Sequence, residues 1–134
     1  MRLWLMLSLL TLPGVFSLTG CGEATGDGPR RYPLSGTITY NGAPLPAGKI
    51  YFEPDGAKDN SGPMVAAEIA NGTYQTPTAK GTIGGPHIVR IDGYDGQSPD
   101  EHNPQGQVLF LNHKIETDLP TEESTQDFTV PRKR

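Results

Sequence analysis

Along most of its length the chain alternates apolar and polar residues with a period of two. Residues 35–40 put Gly36, Ile38 and Tyr40 on one face and Ser35, Thr37 and Thr39 on the other. This is the pattern of a strand with one buried side. Asn41-Gly42 follows, and this pair tolerates the positive φ that a two-residue hairpin turn needs at both positions. A crossing pinned by Pro44 and Pro46 then leads to residues 49–53, where Ile50 and Phe52 alternate with Lys49, Tyr51 and Glu53.

The same reading continues down the chain. A loop over 53–63 precedes a strand over 64–70, with Val65, Ala67 and Ile69 on one face. Asn71-Gly72 is a second hairpin signal, and residues 73–76 form a short return strand with Tyr74 inward. After a loop over 77–86, residues 87–93 place His87, Val89 and Ile91 on the buried face. A long polar loop spans 94–106. Two extended stretches, 107–111 and 114–119, come next, and 126–130 closes the chain with Phe128 and Val130 as its inward pair. No stretch has helical periodicity. About seven short strands with turn signals between them predict an all-β fold, a single antiparallel β-sandwich over residues 34–130.

Composition agrees with this and narrows the function. The 134 residues include 17 Gly and 13 Pro, an excess that favours strands joined by turns. The net charge is −4, and the basic residues cluster only at Arg30-Arg31 and in the tail at 131–134, so clustered phosphate contacts to nucleic acid are not expected. One cysteine cannot form an internal disulfide.

The first twenty residues fall outside the domain. Arg2 precedes an apolar run from Leu3 to Phe16 that is too short to span a bilayer comfortably, and this reads as a secretory signal over residues 1–20. It ends in Leu18-Thr19-Gly20-Cys21, which resembles the lipobox of bacterial lipoproteins, and Cys21 is the chain's sole cysteine. The resemblance implies cleavage before Cys21, guided by Leu18, Thr19 and Gly20, and attachment of fatty acyl chains to Cys21. Several acyl chains give stable membrane anchoring. Gly22 in place of Asp after the cysteine favours the outer membrane under the usual sorting rule of double-membraned bacteria. Residues 21–33, polar and Gly-rich, read as a flexible tether reaching ~20 Å.

The domain has its own resemblance. Ser35-Gly36-Thr-Ile-Thr-Tyr, Gly42-Ala-Pro44-Leu45, Ala47-Gly48, Lys49-Ile-Tyr-Phe52, Glu68-Ile-Ala-Asn71-Gly72-Thr-Tyr74 and Gly85-Pro86-His87-Ile-Val-Arg-Ile91 follow one another in that order. Together they resemble the carboxypeptidase regulatory-like, or transthyretin-like, β-sandwich of immunoglobulin-like architecture. With the lipobox, the small size, and Asn112-His-Lys114 ahead of Asp127-Phe128, the chain is similar to short lipoproteins of planctomycete type. That resemblance implies a fold, and a role as adaptor, adhesin or partner domain. Fold analogy supplies no activity.

Chemistry-bearing residues are sparse. His87, His102 and His113 stand in separate segments, unlike a zinc site, and His87 reads as a core residue. Asp55, Asp59 and Asn60, and Asp92 with Asp95, offer oxygen ligands on loops, but acidic Gly-rich turns usually bond their own backbone. No Gly-x-Ser-x-Gly elbow is present, and the acids Asp100, Glu101, Glu122 and Glu123 read as solvated charge rather than a hydrolytic pair. No metal, cofactor or catalysis is expected. The best contact surface is the 94–106 loop with Tyr94, His102 and Asn103. The expected function is that of a noncatalytic, membrane-anchored envelope module binding a protein or polysaccharide. A purely structural envelope role is the alternative, and a calcium-dependent or glycan-hydrolysing protein is the remaining one.

Overall fold

In the computed structural model, which describes residues 28–133, every regular element is a strand apart from one short 3₁₀ turn at Gly56–Lys58. The nine strands are β1 (Leu34–Tyr40), β2 (Ala43–Pro44), β3 (Ala47–Pro54), β4 (Val65–Ala70), β5 (Thr73–Gln75), β6 (Gly85–Tyr94), β7 (Val108–Leu119), β8 (Ser124–Thr125) and β9 (Phe128–Val130). They form one sheet that runs β1-β5-β4-β3-β6-β7, with β2 pairing β1 along the same edge as β5, and β8 and β9 along the other edge of β1. The sheet curls into a half-barrel, so the fold is all-β and of sandwich type. The expected secretion signal and lipobox, with Cys21, lie outside the described residues.

The two Asn-Gly turns form where the sequence places them. Asn41 and Asn71 have φ of 50° and 51°, and Gly42 and Gly72 have φ of 80° and 75°, the left-handed pair that matches the twist of the flanking strands. The first turn returns only as far as the two-residue β2, where Tyr40 faces Ala43 and Thr39 faces Pro44. Pro46 then diverts the chain, and β3 pairs with β4 and β6 instead. The expected inward faces are buried: Ile50 and Phe52 on β3, Val65, Ala67 and Ile69 on β4, Tyr74 on β5, His87, Val89 and Ile91 on β6, and Phe128 and Val130 on β9.

Three differences from the sequence reading stand out. Residues 107–111 and 114–119 belong to one strand, β7, which bulges against β6 around Gly93. Asn112 takes a φ of 56° there, and this breaks the two-residue period that would have revealed a continuous strand. Strands β8 and β9 run parallel to β1, so the otherwise antiparallel sheet closes with a parallel edge. Tyr32, which the sequence assigns to the tether, bridges Thr82 through backbone hydrogen bonds of 2.7 and 2.9 Å.

β1 is the hub. One edge takes β5 and then β2, and the other takes β8 and then β9. Where β8 gives way to β9 the backbone of Gln126 crosses the inner face at Gly36, leaving no room for a Cβ there. The Tyr74 hydroxyl reaches over the same glycine to donate to the Gln126 carbonyl at 2.7 Å. Phe52, Tyr74 and Phe128 meet with ring centroids 5.7 to 6.3 Å apart, tying three strands across the curl. Near the sheet's other margin Tyr40 packs on Phe110 at 4.9 Å.

The two ends of the sheet differ. Tyr32, Thr82, Gly84 and Thr121 lie together where the chain enters. The opposite end gathers the Asn41-Gly42 turn beside Val130, and Tyr94 opposite Ala47 and Val108. The ten residues of β6 connect these ends, a span of about 30 Å at strand rise.

Candidate functional site

The long polar loop between β6 and β7 is tightly folded. Two aspartates shape it by accepting backbone hydrogen bonds, the local chemistry for which Asp is favoured in turns. Asp95 Oδ1 accepts the N–H groups of Gln97 at 2.9 Å and Gln107 at 2.8 Å, closing the base. Asp100 Oδ1 accepts those of His102 at 2.8 Å and Asn103 at 2.7 Å, turning the tip. The loop then folds back over the outer face of the sheet. Gln105 Nε2 donates to the Gly48 carbonyl at 3.2 Å and to Glu68 Oε2 at 2.9 Å. Glu68 Oε1 lies 3.3 Å from Lys49 Nζ, and its carboxylate raises the Lys49 pKa above the usual lysine value by hydrogen bonding and charge.

Between loop and sheet lies a groove of about 560 Å³, lined among others by Lys49, Glu68, Tyr94, His102, Asn103 and Gln105. The three residues that sequence singled out thus share one surface. Lys49, Glu68 and Gln105 were not foreseen. Lys49 and Glu68 are cross-strand partners of β3 and β4, and only the register of two strands separated by a ten-residue connection brings them together. The groove offers amide, ammonium, carboxylate and imidazole groups around one phenol ring, a set that can hydrogen-bond and stack on a polar ligand.

The remaining candidates are dispersed. His87 is buried in the core, where its Nδ1 donates to the Gly85 carbonyl at 2.9 Å. His113 sits on β7 against Phe110. Asp55 accepts from Ala57 N–H, Asn60 donates to the carbonyls of Gly84 and Pro86, and Asp92 accepts from Asn112 N–H. Among the described residues no three His, Cys, Asp or Glu side chains are grouped to hold a metal ion. Asp100 and Glu101 belong to the loop end, while Glu122 and Glu123 adjoin β8 at the entry end, so the sheet separates them. No described helix is long and apolar enough to cross a membrane.

A second groove of about 460 Å³ lies at the loop end between β7 and the tail, lined by Tyr40, Leu109, Leu111, His113, Arg132 and Lys133 among others. Val108 and Leu111 are 53% and 54% exposed, on the outermost strand, where among the described residues no strand pairs the far edge. No family model matches this chain, and neither does any curated protein or solved structure.

Proposed function

We propose that this protein is a noncatalytic envelope lipoprotein, anchored by acyl chains on Cys21 and displaying the 94–106 loop to a protein or polysaccharide partner. The observation that supports this most directly is the separation of the chain's entry from the loop. Tyr32 bridges Thr82 at one end of the sheet, and Tyr94 begins the loop at the other, about 30 Å along β6. A membrane anchor upstream of residue 28 therefore acts on the end remote from Tyr94, His102 and Asn103, leaving their groove free. Leu18-Thr19-Gly20 ahead of the sole cysteine supports lipidation, and Gly22 supports the outer membrane as its place. The succession of Gly36, Pro44-Leu45, Asn71-Gly72-Thr-Tyr74 and Gly85-Pro86 motifs resembles a carboxypeptidase regulatory-like domain, a class used mainly for partner binding.

Mass spectrometry of the N-terminal peptide from membrane-extracted protein tests the anchor. The expected result is a chain beginning at an acylated Cys21, with Cys21→Ser releasing the protein from the membrane fraction. An unmodified N-terminus, or a Cys21→Ser chain still bound to membranes, overturns the reading.

A further inference from the structure

Strand β7 pairs with β6 along one edge, and among the described residues no strand pairs the other. A bare edge presents unpaired N–H and C=O groups that can template another strand. The β6–β7 register is regular from Ile91↔His113 to Gly85↔Leu119, with the bulges confined to the preceding residues. Over these seven residues Lys114, Glu116 and Asp118 are exposed on the outer face, while Ile115 and His113 on the inner face are only half-buried. Inner residues of a strand flanked on both sides are better covered, as Val89 and Ile91 on β6 show.

We propose that β7 is a self-association edge, pairing antiparallel with β7 of a second copy about a two-fold axis at Ile115. This pairing sets Lys114 opposite the partner's Glu116 twice over, within the regular part of the strand. In-register parallel pairing would instead set each charge against itself, which is unfavourable for residues directly opposite. The same alternation deters most other strands. A charge pattern that protects an edge from strangers is thus complementary to its own copy, which is how specificity against alternatives is normally built. Ile115 meets its symmetry mate on the inner face, and the interface is isologous and closes at two copies. Glu116 also faces Lys58 at 3.6 Å, but both side chains are more than half exposed, so re-pairing this carboxylate costs little. Lys114 forms no ion pair with another described residue. Because β7 runs from the loop end to the entry end, the two Tyr32 entries of the pair lie at opposite ends, and a two-fold axis along the membrane normal sets both at the same height while each chain's anchor still acts on the end remote from its own loop.

The test uses the full chain in its own membrane. Ile115→Cys places a thiol on the axis, and the wild-type chain with Cys21 alone gives the baseline. The expected result is a reducible dimer with Ile115→Cys that is absent with Tyr51→Cys, a mid-sheet position on the outer face. Adding Lys114→Glu to Ile115→Cys lowers the dimer several-fold by opposing like charges, and adding Glu116→Lys to that variant restores it. No dimer above baseline with Ile115→Cys overturns the proposal. So does a dimer indifferent to Lys114→Glu, or one that the charge swap fails to restore while circular dichroism shows the fold intact.

Discussion

Asp92 on β6 holds Asn112 on β7: its Oδ1 accepts the Asn112 backbone N–H at 2.7 Å, across the point where the two strands lose register. The contact sits at the bulge that sets off the first third of β7 from its regular pairing with β6. Removing the carboxylate with Asp92→Ala leaves that N–H without its protein acceptor, and a loss of about 1–2 kcal/mol is expected in urea unfolding. Asn112→Gly keeps access to the φ of 56° and is expected to be nearly neutral, whereas Asn112→Val is destabilising because a β-branched residue resists that conformation.

Gly36 and Tyr74 make a second prediction. A methyl group at residue 36 collides with the backbone of Gln126, so Gly36→Ala is expected to destabilise by about 1–3 kcal/mol, as overpacking does. Tyr74→Phe removes the hydroxyl from the Gln126 carbonyl and should cost about 1–2 kcal/mol. Burial, with a smaller effect of Asp127, pushes the Tyr74 hydroxyl well above the usual tyrosine pKa. Its contribution is therefore complete below the unfolded value near 10.0 and is lost as pH rises beyond it, because the unfolded chain ionises first. Alkaline melts of wild type and Tyr74→Phe should converge.

His113 gives the opposite dependence. Burial, and then the charge of Lys133, lower its pKa below the ordinary 6.5, and the other group packed on its ring is Phe110. The unfolded chain thus binds this proton more readily, and stability falls as pH drops through 6.5. Melting temperatures measured between about pH 7.5 and pH 5.5 should decline, and His113→Gln should make the decline shallower.

Much of this architecture could be read directly in the chain. The Asn-Gly turns, the inward faces of β3 to β6 and the core role of His87 all follow from local rules: turn chemistry and a period of two. What escaped were relationships between distant segments. Nothing local announces that β9 lies parallel to β1, since both parallel and antiparallel partners present the same alternation of Phe128 and Val130. Tyr94, His102 and Asn103 were visible as a polar loop with an aromatic. Lys49 and Glu68 read as ordinary outward charges until the β3–β4 register placed them opposite each other beneath Gln105.

That staple yields a further prediction. Gln105→Ala frees the loop from Gly48 and Glu68, but the two bonds lost are only part-buried and exposed. Global stability should change by no more than about 0.5 kcal/mol, while amide exchange over residues 97–107 should quicken. If exchange in the loop is unchanged, the contact does not order the groove.

The measurement that bears most directly on the central claim is site-specific photo-crosslinking in intact cells, with the photoreactive residue placed at Asn103 in one strain and at Thr121 in another. These positions lie at the loop end and the entry end of the same sheet. The account predicts that Asn103 captures a recurrent envelope protein or polysaccharide and that Thr121 does not. Capture from Thr121 alone, or equally from both, would contradict display of the loop end as the protein's function.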